Sequence, residues 1–480
     1  MKFSLLNVPP GYRFSKDFKK PQKMLSYHPP LGALYLGSVL EKEGHNVEVI
    51  DLLAEKFPTD TIRKIIPSSD AIGMTTYSSA YQETLKGGYY TYAYKESAEI
   101  TKFVKEIDPK LPIVIGGPHC TVQPKKCLDE ISSADISVEG DGEHIISDLV
   151  KALQGKEKLS DIPGIYFRQD NQIKKGKPAK IIENLDEIPF PARHLIDKYD
   201  YTKNLKKHNF KPKFTTIITG RGCPFNCSFC TRNALGYKIF RKRSVENVVS
   251  EITEIDEKYN SVMIVDDTFL ADVERADKIL DRLIELKSDL DIYIQGARVD
   301  TAEPKLYEKM KKAGVKHLYY GLESANQDVL NFYNKKATVK QIRNAINLSS
   351  EMDFFTVGTF ILGAPIETKE HIERTIKFAC SLRLDVVIFT ILTYKYGSEL
   401  WDYAVKNGNT KDSDGYTIVA DSKLGLGNFT REELEEYYRK AMKRFYLRPR
   451  YVTRQILKLF KGGDFNTMKT RFNQLTHIVS

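Results

Sequence analysis

GRGCPFNCSFCTRN, residues 220–233, carries three cysteines, Cys223, Cys227 and Cys230, in a C-x3-C-x2-C run. One loop thus offers three thiolates, one fewer than tetrahedral zinc or a closed iron–sulfur cluster takes from its protein. A 4Fe-4S cluster held this way keeps one iron without a protein ligand, and that iron is free to bind a small molecule through an amine and a carboxylate. Zinc would need a fourth ligand, and no nearby Cys or His stands at finger-like spacing; His208 is the closest upstream. The apolar, β-rich run from Phe214 to Ile218 precedes the loop. A cluster is therefore expected at the carboxyl end of a strand, where enzyme sites of α/β folds gather.

Outward from that loop, residues 213–410 alternate strand and helix. Strands are expected at 214–218, 262–265, 292–295, 317–321, 357–362 and 386–391, with helical patterns near 245–258, 273–287, 303–313, 338–351 and 368–382. Six such units suit a partial, open (β/α)6 barrel rather than a closed eightfold one. Residues 1–154 alternate in the same way. Phe3–Val8, Val47–Ile50, Ala71–Thr75, Ile113–Ile115 and Ile136–Val138 read as strands, and Leu31–Glu43 as an amphipathic helix ended by Gly44. Short apolar strands between helices predict a Rossmann-like, doubly wound parallel sheet. Gly116-Gly117-Pro118 and Glu139–Glu143 fall just past two of these strands, in loops that line the ligand crevice of such sheets. Residues 155–212, rich in Pro, Lys and Asp with a hairpin around Ile165–Ile173, read as a linker, and 411–480 as a helical, basic extension.

The chain has 480 residues and a formal net charge of +10. From Arg439 to Arg471 there are eleven Lys and Arg against the single acid Asp464, an excess equal to that of the whole chain. This tail interleaves cations with Phe445, Tyr446, Leu447, Tyr451, Ile456, Leu457, Leu459 and Phe460, a pattern suited to an anionic bilayer surface or to a helix docked on the barrel with its basic face in water. No RNA-binding signature accompanies it, so nucleic acid is not an expected partner. No apolar run reaches the length of a spanning helix, and the N-terminal MKFSLLNVPPGYRF lacks the helical core and cleavage site of a signal peptide. Few cysteines fit a reducing cytoplasm, with a peripheral position at the inner membrane face as the reading of the tail. Cys120, Cys127 and Cys380 are expected as buried small hydrophobes rather than ligands.

The cysteine spacing resembles that of the radical S-adenosylmethionine (radical SAM) superfamily. The resemblance implies that the open iron chelates S-adenosylmethionine. One electron, from an external donor of ferredoxin or flavodoxin type, then cleaves it to methionine and a 5′-deoxyadenosyl radical. It places Phe229 near the adenine. Asp266 and Asp267, in VMIVDDTFLAD, would help hold the cofactor's amino group, although either also suits a helix N-cap. Arg298, in IQGARVD, would meet the methionine carboxylate in a forked geometry or pair with Asp300 or Asp266. Glu323 and Ser324, in YYGLESANQDVL, match the family's G-x-E-S and would approach the amino acid and ribose ends, while Ser324 also stands where a helix cap is wanted. Ile361 and Gly363, in FILGAPIET, would line the adenine, though their spacing departs from the strict G-x-I-x-G-x-x-E form. Tyr394, Lys395 and Tyr396 either touch substrate or cobalamin or form a surface turn. No catalytic protein nucleophile is implied.

HPPLGALYLGSVLEKEGHNVEVID, IVIGGPHCTVQP and SVEGDGE resemble the cobalamin-binding domain that precedes the catalytic domain in one radical SAM class. The chain has no Asp-x-His, the motif that ligates cobalt from below in other cobalamin domains, and an empty Rossmann-like domain is the competing account. The layout implies cobalamin-dependent methyl transfer to a hydrophobic, lipid or tetrapyrrole-like substrate. Radical cyclisation or carbon–carbon coupling, with or without cobalamin, and a non-catalytic iron–sulfur scaffold, are the alternatives.

Overall fold

Short apolar strands alternating with helices form parallel sheets that helices must cover, on both faces in an open sheet and on the outer face in a barrel. The computed structural model contains such a sheet in each of two units, Met1–Asn204 and Leu205–Ser480. It describes residues 1–8, 14–15, 28–76, 80–82, 90–204, 211–235, 239–411 and 416–460. Pro9, Pro10 and Gly11, His208 and the tail beyond 460 lie outside these.

In the first unit, β1 (Lys2–Asn7), β2 (Asn46–Asp51), β3 (Ala71–Thr75), β4 (Ile113–Gly116) and β5 (Ile136–Val138) are parallel. β6 (Ile165–Gln169) and β7 (Gln172–Lys175) follow antiparallel, giving the order β2-β1-β3-β4-β5-β6-β7. The order reverses between β1 and β3, the switch point at which doubly wound sheets open a ligand crevice. The 165–175 hairpin thus extends this sheet instead of standing in a linker. Tyr201, beyond it, donates to Asp51 at 3.1 Å, which ties the 193–204 turns to the end of β2.

The second unit is a six-stranded parallel sheet in chain order: β8 (Phe214–Ile217), β9 (Ser261–Ile264), β10 (Asp291–Ala297), β11 (Val315–Glu323), β12 (Phe355–Leu362) and β13 (Val386–Ile391). The crossover helices start where the sequence supplies oxygen caps, Ser244, Asp272 and Thr338, each accepting from a backbone amide of the first turn. Along β12 and β13 burial alternates residue by residue. Phe360, Leu362, Val387, Phe389 and Ile391 are fully buried in the helix-covered core. Val357, Thr359, Ile361, Val386, Ile388 and Thr390 are half-buried on the opposite, concave face. That face is the lumen of the partial barrel. Near its amino-terminal end His317 stacks on Phe355 at 4.4 Å and meets Tyr293 edge-on at 4.3 Å.

The C-terminal segment is part of this unit. The Arg431–Tyr446 helix, opened by a Thr430–Glu433 capping box, lies along β13, the sheet's edge strand. Tyr446 Oη donates to the Val387 carbonyl (2.8 Å) and accepts from its amide (3.1 Å), which closes part of that edge. The basic residues take part in the docking. Lys440 and Arg444 pair with Glu373, Arg448 lies 3.7 Å over the Phe445 ring, and Arg454 reaches Asp385 and the Leu384 carbonyl. Cations so engaged do not form a free membrane-facing stripe at these positions, and no helix among the described residues is long and apolar enough to cross a membrane.

Tyr446→Phe removes both bonds to Val387 and leaves a buried amide and carbonyl unpaired. A loss of about 1–3 kcal/mol is expected in denaturant unfolding of the full chain.

Candidate active site

The cysteine loop leaves the carboxyl end of β8 with no regular structure across 222–230, so side contacts must hold it. A single turn, residues 332–336 after the Gln327–Phe332 helix, supplies most of them. Ser228 N donates to the Tyr333 carbonyl at 3.0 Å and Ser228 Oγ to the Phe332 carbonyl at 3.1 Å. Asn334 Nδ2 donates to the Asn226 carbonyl at 2.8 Å. From the other side, Leu400 N donates to the Ser228 carbonyl at 2.9 Å. The turn holds Asn334 and Lys336 at φ +50° and +54°, a left-handed geometry that costs non-glycine residues energy and persists only where surroundings enforce it.

Cys223, Cys227 and Cys230 are all half-buried. Burial pushes the Cys227 thiol up to about 11 and raises that of Cys223, so a bound metal's charge is needed to hold them as thiolates. Among the described residues no three His, Cys, Asp or Glu side chains converge closely enough for a single metal ion. Three half-buried thiols on one loop suit a cubane, whose irons occupy separate corners. Phe225 lies 3.5 Å beneath the Arg298 guanidinium, and Phe229 meets Tyr333 edge-on at 5.0 Å.

The other residues singled out in the sequence divide. Asp267 reaches the loop, pairing with Arg232 Nε at 3.0 Å, and Arg232 N approaches Cys230 Sγ at 3.5 Å. Asp266 turns away: it is buried and accepts from Thr219 N (2.6 Å) and Oγ1 (2.5 Å), bracing the end of β8, and burial pushes its carboxyl up to about 6. A cofactor's amino group therefore has no access to it. Arg298 donates through Nε and Nη2 to Asp300, with two bonds of 2.8 Å, the intramolecular pairing that its sequence position also allowed. Ser324 is fully buried with its hydroxyl among Thr375 and Asn326, on the helix side of the sheet. The Gly363 amide donates to Glu367 Oε2 at 2.7 Å, and a Cβ at Gly363 would come within 2.8 Å of Leu434, so this glycine makes room for a helix rather than for a flat ring. Ile361 faces the lumen, half-buried. Tyr394 is buried, whereas Lys395 is exposed.

Glu323 sits where β11 slips register against β12, and its φ of +60° marks a strained backbone that re-aims the side chain. Its Oε1 accepts from Lys335 Nζ at 2.6 Å. Gly321 makes the pair feasible, since a Cβ there would fall 2.5 Å from Glu323 Oε1 and 2.9 Å from Lys335 Nζ. Burial pulls the Lys335 ammonium down, but Glu323 and the Cys227 sulfur more than offset this and keep it above the ordinary lysine value. Lys335 is the residue that sequence reasoning missed, and its only local signal is a polar, turn-prone NKK after a helix. Glu367, in FILGAPIET, follows β12. Its Oε2 caps the turn after β12, its Oε1 has no partner among the described residues, and burial pushes its carboxyl up to about 7.

Comparison with known proteins identifies the family and the fold. The profile of the radical SAM superfamily matches residues 217–379, and that of the B12 binding domain matches 22–150. The chain is 35% identical over 440 residues to the "uncharacterized methyltransferase PH0819" of Pyrococcus horikoshii, covering 90% of each. It is 26% identical over 443 residues to the anaerobic magnesium-protoporphyrin IX monomethyl ester cyclase of Cereibacter sphaeroides, covering 88% of this chain and 67% of that one. Among solved structures, the fold matches the radical S-adenosylmethionine methyltransferase TsrM of Kitasatospora setae, with cobalamin and a 4Fe-4S cluster bound. The TM-score is 0.70 at 16% identity, covering 93% of this chain and 88% of that one.

Glu367 makes stability depend on pH. Its carboxyl is raised from 4.5 to about 7, so the folded state favours the protonated form. That contribution is whole below about pH 4.5 and is lost as pH rises through about 7. Glu367→Gln keeps an oxygen for the two amides and removes the titration. Urea midpoints at about pH 5 and about pH 8 are expected to shift in the variant's favour at the higher pH, by up to roughly 3 kcal/mol relative to the parent.

Proposed function

Since the chain belongs to the radical SAM superfamily, in the class whose radical SAM domain follows a B12-binding domain, we propose that it transfers a methyl group to an unactivated carbon of a hydrophobic small molecule. The observation that carries this reading is the lumen. Its wall on β12 and β13 is largely aliphatic, Val357, Ile361, Val386 and Ile388, and the three-cysteine loop stands at the carboxyl end of the same sheet. An apolar wall excludes water from a reacting carbon and recognises a substrate by its hydrocarbon surface.

The cofactors of this class are a 4Fe-4S cluster, S-adenosylmethionine and cobalamin, which when bound supply the one-electron cleavage that produces a carbon radical and the methyl group it receives. The chain's own residues bind and orient. Cys223, Cys227 and Cys230 would hold the cluster, and the 332–336 turn fixes their loop. Lys335, already paired with Glu323 beside Cys227, would offer a cation to the cofactor's carboxylate. Glu323, re-aimed by its bulge, would accept from the cofactor's ammonium or ribose. Phe229, backed by Tyr333, and Ile361 would flank the adenine. Asp267 positions Arg232 beside Cys230. The electron would come from an external donor of ferredoxin or flavodoxin type, as in the family. Peripheral membrane contact is not part of this proposal, since Lys440, Arg444, Arg448 and Arg454 of the tail are engaged on the barrel.

A radical cyclase is the second reading, favoured by the 26% identical relative. Anaerobically reconstituted protein is expected to show cobalamin absorption and, once reduced with S-adenosylmethionine, to release 5′-deoxyadenosine. S-adenosylhomocysteine should form in step with methylated product; 5′-deoxyadenosine without it would turn the assignment to cyclisation. Cys227→Ala is expected to lose cluster iron. Lys335→Met should keep its iron and bind S-adenosylmethionine about tenfold more weakly, roughly 1.4 kcal/mol.

A further inference from the structure

Behind the Gly116-Gly117 turn of the first unit lie two thiols that the radical chemistry does not use. Cys120, in the Pro118–Val122 helix, and Cys127, in the Pro124–Glu130 helix, are both fully buried, with their sulfurs 3.0 Å apart. A modest approach brings them to the disulfide bond length of about 2.05 Å. The surrounding core is apolar, with Ile113, Ile115, Leu128 and Ile131 in the same cluster. A small apolar residue would fill either place as well, so packing alone gives no reason for two thiols side by side.

The pair is also wired to the turn. Thr76 Oγ1 lies 3.3 Å from Cys120 Sγ and 3.9 Å from Cys127 Sγ. The same hydroxyl and the Thr76 amide both donate to the Gly116 carbonyl, at 3.0 and 2.7 Å, and His119 N donates to the Thr76 carbonyl at 3.3 Å. Gly117, at φ +100°, approaches so closely that a Cβ would come within 2.9 Å of that carbonyl. A bond between the sulfurs therefore fixes the two short helices that leave the carboxyl end of β4.

We propose that Cys120 and Cys127 are a reversible dithiol–disulfide couple that locks the Gly116-Gly117 turn when oxidised. The oxidant is a small disulfide. Each thiol gives up a proton and an electron, the Cys120–Cys127 bond forms, and the oxidant's sulfur–sulfur bond is reduced to two thiols. Both sulfurs are buried, so exchange proceeds through local opening of the 118–130 segment and is slow.

The test uses the full-length protein, incubated without air with oxidised glutathione, quenched in acid, alkylated in denaturant and digested with trypsin. Trypsin cuts at Lys125 and Lys126, between the two cysteines. The expected result is a cross-linked pair of peptides, unalkylated at Cys120 and Cys127 and released by dithiothreitol, with Cys380 alkylated throughout. Amide hydrogen exchange over 117–122 should slow about threefold in the oxidised form. Cys127→Ser, or Cys127→Ala should the serine variant fail to fold, should give no cross-link and no change in exchange. Full alkylation of both cysteines after oxidant treatment overturns the couple. A cross-link with unchanged exchange overturns the locking of the turn.

Discussion

The hydrogen bonds between the cysteine loop and the 332–336 turn are the interaction on which the candidate site stands. An irregular loop pays conformational entropy for every residue it fixes, and half-buried thiols add the cost of losing water. Two bonds from Ser228 and one from Asn334 to Asn226, each contributing about 1 kcal/mol net, offset that cost before any ligand is bound. The turn does more than anchor. Tyr333 backs Phe229, and Lys335 brings a cation to Glu323 within electrostatic reach of Cys227. Loop, aromatic wall and charge are therefore positioned by five consecutive residues.

The architecture was legible because its signals are local. Strand–helix alternation and capping residues such as Ser244, Asp272 and Thr338 do not depend on distant contacts, and the cysteine spacing is confined to a single loop. Roles that depend on where a side chain points were harder to read. Asp266 and Asp267 are chemically identical neighbours, yet one folds back to brace Thr219 and the other reaches Arg232. Arg298 has its acid two residues on, and only the geometry shows that Nε and Nη2 both donate to it. Lys335 was invisible because its partner Glu323 is twelve residues away, across a helix and a left-handed turn. The 165–175 hairpin looked like linker material because its polar face and its sheet edge give the same composition.

Charge patterning was informative in amount and ambiguous in use. The excess of cations near the C-terminus suited either a surface for anionic lipid or a helix docked on the barrel, and the structure places several of them on the barrel. Arg448 and Arg454 reach the carbonyls at the start of β13, and Lys440 and Arg444 share Glu373. Long cationic side chains lay their hydrocarbon stems on apolar surface and carry their charge to its rim, which suits a helix that covers a sheet edge.

Gly321, Glu323 and Lys335 occupy one another's space closely enough that none is independent. A side chain at 321 displaces the carboxylate and the ammonium together; without Glu323, the lysine is a buried charge without its counter-ion; without the lysine, a strained backbone presents an acid beside sulfur ligands. Single substitutions at any of the three pass through a penalised intermediate. Among descendants of this sequence the three positions should therefore be inherited as a unit, drifting together or not at all, whatever the lumen below them comes to accommodate.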